Sequence, residues 1–154
     1  MNDEVLGKLL PDERIAGALN GTVIHRGKAV RLHVEPEGED LVLAIAFAKA
    51  VVVSLATLDQ SARERAATEL LVTYNGNWRE FQKAKEDGSF VTVSNPLLTA
   101  AEFMARIELE SLNVTGNDIC SLGYADGGLF AGHSIFVESF DGEKFSDFHV
   151  SLFG

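Results

Sequence analysis

The residue best suited to proton chemistry is His133, in Leu129-Phe130-Ala131-Gly132-His133-Ser134-Ile135-Phe136-Val137, a run entered through a glycine-rich turn. An imidazole titrates near neutrality and suits a general acid or base. Strand alternation puts His133 with Ile135 and Val137, and Ser134, Phe136 and Glu138 on the other side. The plainer reading is a half-buried histidine hydrogen-bonded at the core edge. No nucleophile or acid partner stands at a fixed spacing from it. Asn75-Gly76-Asn77-Trp78 places two amides and the only tryptophan within four residues. Such a loop could hold a ligand by stacking and hydrogen bonds. Equally, Gly76 and an asparagine would adopt left-handed conformations at a helix end while Trp78 plugs the core.

The remaining candidates are thinner. His133 with Asp118, Asp126, Glu138 or His149 has no His-x-x-x-His or Cys-x-x-Cys spacing to fix a metal, so no metal or cofactor is expected. Cys120, the single cysteine, lies between Ile119 and Ser121 and reads as a small buried hydrophobe; a Cys120–His133 couple across paired strands is the weaker reading. The glycines between Gly123 and Gly132 run strand to strand, so no helix N-terminus faces a phosphate. The residues expected to contact a ligand or partner are Asn75, Asn77, Trp78, Asp126, His133 and Glu138.

These residues must be positioned by a small set of elements. Thr22–Arg26 and Ala29–Val34 read as a β-hairpin turning at Gly27-Lys28, with Val30, Leu32 and Val34 alternating against Arg31 and His33. After the Pro36-Glu37-Gly38 break, Leu41–Ala56 is almost wholly apolar. Sixteen residues with a lysine fall short of a bilayer span, which favours a central core helix. Ser61-x-x-Glu64 resembles a capping box opening a second helix over 60–74 that stops at Asn75-Gly76. Residues 77–95 show no period and read as a turn or short helix plus loop. Thr99-Ala100-Ala101-Glu102 opens a short third helix.

From Leu109 the pattern becomes extended, with turns at Gly116-Asn117-Asp118, Asp126-Gly127-Gly128 and Asp141-Gly142-Glu143. A four-stranded antiparallel β-meander follows from this. Six of the ten phenylalanines lie between Phe130 and Phe153, as strands packed against helices require. The fold class is therefore α+β: an N-terminal β-hairpin, two to three central helices and the C-terminal meander, with helices on one sheet face.

At 154 residues, 46% hydrophobic and 23% charged, the chain suits a single globular domain spanning 1–154. One cysteine excludes an internal disulfide, and the charged start resembles no secretory signal, so a cytoplasmic protein is expected. The net charge is −10, which argues against nucleic-acid binding through phosphates. Residues 1–106 hold 15 acids and 12 bases, whereas 107–154 hold eight acids and only Lys144.

Tyr74-Asn75-Gly76-Asn77-Trp78 resembles the Tyr-Asn-x-x-Trp element of an uncharacterised bacterial domain-of-unknown-function family. Residues 129–137 are similar to its Phe-x-Gly-His-x-Ile element, and Val5-Leu6-Gly7 before a hairpin resembles its opening. The resemblance implies no catalytic residues, but groups Trp78 with His133 as a pair that packs together or lines one site.

Two functions are carried forward. One is a non-catalytic binding or regulatory protein, with the C-terminal acids on a sheet face that receives a basic protein, as an immunity-type inhibitor would. The alternative is a small-molecule enzyme or sensor using His133 near the Asn75–Trp78 loop. Neither requires a membrane.

Overall fold

The computed structural model describes residues 1–154 as three helices and eleven strands. A seven-stranded mixed sheet organises them. Its strands are β3 (Leu10–Pro11), β4 (Leu19–His25), β5 (Lys28–Glu35), β8 (Glu108–Thr115), β9 (Ile119–Ala125), β10 (Ser134–Ser139) and β11 (His149–Phe153). Their spatial order is β11-β10-β9-β8-β5-β4-β3. Each neighbouring pair is antiparallel except β5–β8, which is parallel. A parallel pair needs a long crossover, and all three helices lie in this one. The N-terminal hairpin β4–β5 is thus part of the same sheet as the C-terminal strands. A two-stranded pairing of β1 (Asn2–Asp3) with β2 (Gly7–Lys8) precedes it.

One face of the sheet is apolar, because the cross-strand partners on it match. Val23 lies opposite Val30, Leu32 faces both Gly21 and Leu112, Leu122 faces Leu112 and Val137, and Ile135 faces Tyr124. These side chains share a cluster of 30 buried residues with Ala44, Phe47 and Val51 of α1 (Leu41–Val53) and Leu58, Ala62 and Ala66 of α2 (Leu55–Thr73). Helix α1 touches β5 and β8, and α2 touches β10 and β11. Alternate positions are polar or only partly buried: Arg31 and His33 on β5, Ser111 and Asn113 on β8, Ser121 on β9, Phe136 and Glu138 on β10. Gly123 has no side chain because the Phe136 ring and Ser111 Oγ occupy its Cβ space.

The helices depart from the sequence reading at three places. Leu41–Ala56 is not one rod: the chain breaks at Ser54, and the helices on either side are bent by 74°. Ser61 is no cap, since α2 already begins at Leu55, which leaves Ser61 inside a helix of 19 residues. A Ser-x-x-Glu spacing arises by chance in any helix rich in short polar residues, and the upstream Leu55 and Leu58 supply buried contacts that extend the helix past it. Gly76 does not end α2 either. The chain continues through a π-helical turn, Tyr74–Trp78, and Gly76 has no positive φ. No single helix is long and apolar enough to cross a membrane.

The start of the third helix forms as read. Thr99 caps α3 (Ala100–Arg106) with a reciprocal capping box to Glu102. The hairpin turn lies at Arg26-Gly27, one residue earlier than expected, both with φ above zero as a two-residue turn requires (52° and 75°). Residues 77–95 hold a hairpin instead of a loop: β6 (Glu80–Ala84) pairs with β7 (Phe90–Ser94) around Asp87-Gly88. Its strands are almost entirely exposed, so no buried stripe marks them in the sequence.

Candidate functional site

His133 precedes β10 in a tight turn rather than standing in the strand. Its ring Nδ1 lies 2.5 Å from the Phe130 carbonyl, and the ring meets Trp78 edge to face at a centroid distance of 5.3 Å. The same ring fills the space beside the terminal Gly154. Trp78 in turn meets Phe130, which Tyr74 and Phe103 also contact edge to face. His133 and Trp78 are therefore brought together, by packing onto one aromatic cluster, and neither lines the cavity of about 420 Å³ beside the β4–β5 turn.

The other sequence candidates are tied to backbone or stand apart. Asn75 binds Leu98 twice, its Oδ1 accepting from the Leu98 N–H and its Nδ2 donating to the Leu98 carbonyl. Asn77 is exposed. Asp126 is buried and accepts from three backbone N–H groups, those of Gly128, Phe130 and Gly132. It thereby builds the turn that delivers Phe130 to the core. Glu138 lies on β10 opposite Ser121 and His149. Cys120 pairs with Ser139 at the far end of β10 from His133, and burial pushes its thiol up to about 12, helped by Asp141 and Asp147.

The outer side of the C-terminal strands is mixed in character, not continuously anionic. On the side of β8 to β11 away from the core, Ser111, Asn113, Thr115, Ser121, Phe136 and Ser151 stand together with Glu138. Three of the eight acids stand in strands, Glu108 and Glu110 on β8 and Glu138 on β10, and the other five sit in the connections, where Asp side chains serve the backbone. Four of these acids, Asp118, Asp141, Glu143 and Asp147, lie at the end of the sheet where β8 leads into β9 and β10 into β11. Gly142 N–H donates to Asp118 O, joining the two turns, and Gly116 N–H donates to the carbonyl of Glu35, the residue that leads into the β5–α1 connection. Glu37, Glu39 and Asp40 of that connection are exposed. Hydrogen bonds from Ser146 and Ser139 outweigh desolvation and hold Asp141 down at about 2.

At the opposite end of the strands, a polar cluster absent from the sequence reading lies between sheet and helix. Asp59 is fully buried on α2. Its Oδ1 accepts from Arg63 Nε at 2.8 Å and from the Tyr124 hydroxyl at 2.7 Å, and its Oδ2 lies 2.9 Å from His25 Nε2. Burial works to raise the Asp59 pKa, but the bonds from Tyr124 and His25 and the charge of Arg63 outweigh it and hold the carboxyl below its ordinary value. The Tyr124 hydroxyl is pushed well up, first by burial and then by the Asp59 charge. The Arg63 guanidinium sits 5.2 Å from the Tyr124 ring centroid, and its Nη1 donates to the carbonyls of Met104 and Ile107 at 2.6 Å.

The sequence carried one signal for this cluster. Asp59 and Arg63 stand four apart among Leu55, Leu58, Ala62 and Ala66, so a helix starting at Leu55 turns both charges inward. Beginning that helix at residue 60 hides the pair. Above the cluster opens a cavity of about 420 Å³ between the β4–β5 turn, α2 and the α3–β8 junction.

Among known families, residues 3–150 match the model of a family described as "Uncharacterized protein conserved in bacteria (DUF2262)". No curated protein and no solved structure matches.

Proposed function

The chain belongs to the bacterial family DUF2262, and on that premise we propose that it is a binding or regulatory domain that receives a basic protein surface. The observation that carries this reading is the grouping of carboxylates at one end of the sheet. Asp118, Asp141, Glu143 and Asp147 stand there beside the exposed Glu37, Glu39 and Asp40, with Lys144 among them. Like charges gathered on one end of a molecule steer a cationic partner and raise its encounter rate. The contact is an end of the molecule, made of turns, and not a sheet face.

The reading with His133 as acid or base has less support. Its ring is engaged by Trp78, the Phe130 carbonyl and Gly154.

The test is affinity capture from the native cell by the wild-type protein and by the double variant Glu37→Lys, Glu143→Lys. The expected result is one partner held at low salt, released when the Debye length falls to about 3 Å near 1 M salt, and not held by the double variant. A partner captured equally by both proteins, or none at low salt, overturns the reading.

A further inference from the structure

We propose that the cavity above Asp59 binds a small doubly charged organic anion, a phosphate monoester or a dicarboxylate. Four of the chain's 13 lysines and arginines line it: Arg26 and Lys28 from the β4–β5 turn, Arg63 from α2 and Arg106 from the end of α3. In a protein of net charge −10, this is a concentration of positive charge against the molecule's own balance. The single acid in the lining, Glu108, is taken by Lys28, whose Nζ lies 2.6 Å from its Oε1.

Arg63 makes the cavity a built site. Its side chain is 10% exposed, and Nε and Nη1 are committed to Asp59 and to the two carbonyls. Its Nη2 has no partner in the protein and is not sealed from solvent. A guanidinium held rigid on one side with donors left over on the other is the geometry that recognises an oxyanion. Arg26 stands at the rim, 59% exposed, its Nε 3.9 Å from Asp59 Oδ2. With Lys28 paired to Glu108 and Arg63 to Asp59, the four cations keep an excess of two positive charges, which selects a dianion. The rest of the wall is Gln60, His25 and the aliphatic Met104, Ala105, Ile107 and Leu109. Histidine is its sole ring, so no broad stacking surface exists for a nucleobase and the ligand's body is short and aliphatic. The volume of about 420 Å³ is that of a small-molecule site.

Isothermal titration calorimetry tests the proposal on the full chain, with inorganic phosphate, glycerol phosphate and succinate as probes in dilute chloride buffer. At least one probe should bind saturably with Kd below about 1 mM. Arg26→Ala and Lys28→Ala, both at exposed positions and checked for folding by circular dichroism, should each weaken it by about 5- to 10-fold. The double variant Lys83→Ala, Lys85→Ala, on the exposed β6–β7 hairpin, should bind as wild type. Tighter binding of the phosphate probes assigns a phosphoryl ligand, and tighter binding of succinate a dicarboxylate. Absence of saturable heat for all three probes up to about 10 mM, or equal weakening in the Lys83/Lys85 control, overturns the site.

Discussion

The Tyr124 hydroxyl on β9 lies 2.7 Å from Asp59 Oδ1 on α2, across 65 residues of chain. That single bond ties the sheet to the helix at the point where the helix carries a buried charge. It makes Asp59 a structural centre: two bonds come from the sheet side, through Tyr124 and His25, and one from its own helix, through Arg63.

Removing the carboxylate should therefore be more damaging than removing any one of its partners. Asp59→Ala leaves the nine-tenths buried Arg63 without its counter-charge and is expected to cost about 3–5 kcal/mol. Tyr124→Phe keeps the ring in the core and loses one charge-assisted bond, about 1.5–3 kcal/mol. Urea unfolding of the two variants checks both the sizes and their order.

Acid should destabilise the fold in a defined window. Asp59 has a folded pKa below its ordinary 3.8, and Asp3, Asp12 and Asp141 are held at about 2 by hydrogen bonds from Lys49, Asn20 and Ser146 respectively. With the folded pKa depressed, the unfolded chain binds more protons, so stability is full above about pH 4 and falls as pH drops toward 2. Unfolding free energy measured across this range should show that slope, and the slope should be shallower in Asp59→Asn, which cannot titrate there.

Cys120 should be inert while the protein is folded. Its thiol is fully buried and pushed up to about 12, so little thiolate exists near neutrality. Labelling by iodoacetamide at about pH 8 should proceed only as fast as the protein opens, and should accelerate sharply in denaturant. Fast labelling of the native protein would contradict the burial.

His133 should behave as a packing residue. His133→Phe retains an aromatic edge against Trp78, whereas His133→Ala forfeits a contact of about 0.5–1.5 kcal/mol. Alanine should also red-shift Trp78 fluorescence by admitting water beside the indole, and phenylalanine should not. Thermal melts and emission spectra of the two variants distinguish this role from a chemical one.

The sequence by itself determined the α+β class, the N-terminal hairpin and the α3 cap, because each rests on local chemistry: two-residue alternation, a glycine at positive φ, a threonine three residues before a glutamate. It also exposed the surplus of acids after Arg106. Tertiary structure decided where those acids stand, since five of the eight fall in connections and four of these gather at one end of the sheet. It decided as well that β5 and β8 run parallel in one sheet, a pairing between segments some 80 residues apart that no local pattern encodes. The Asp59 cluster belongs to the same class. Its members come from β4, α2 and β9, and only the packing of sheet on helix makes one buried carboxylate the common partner of His25, Arg63 and Tyr124.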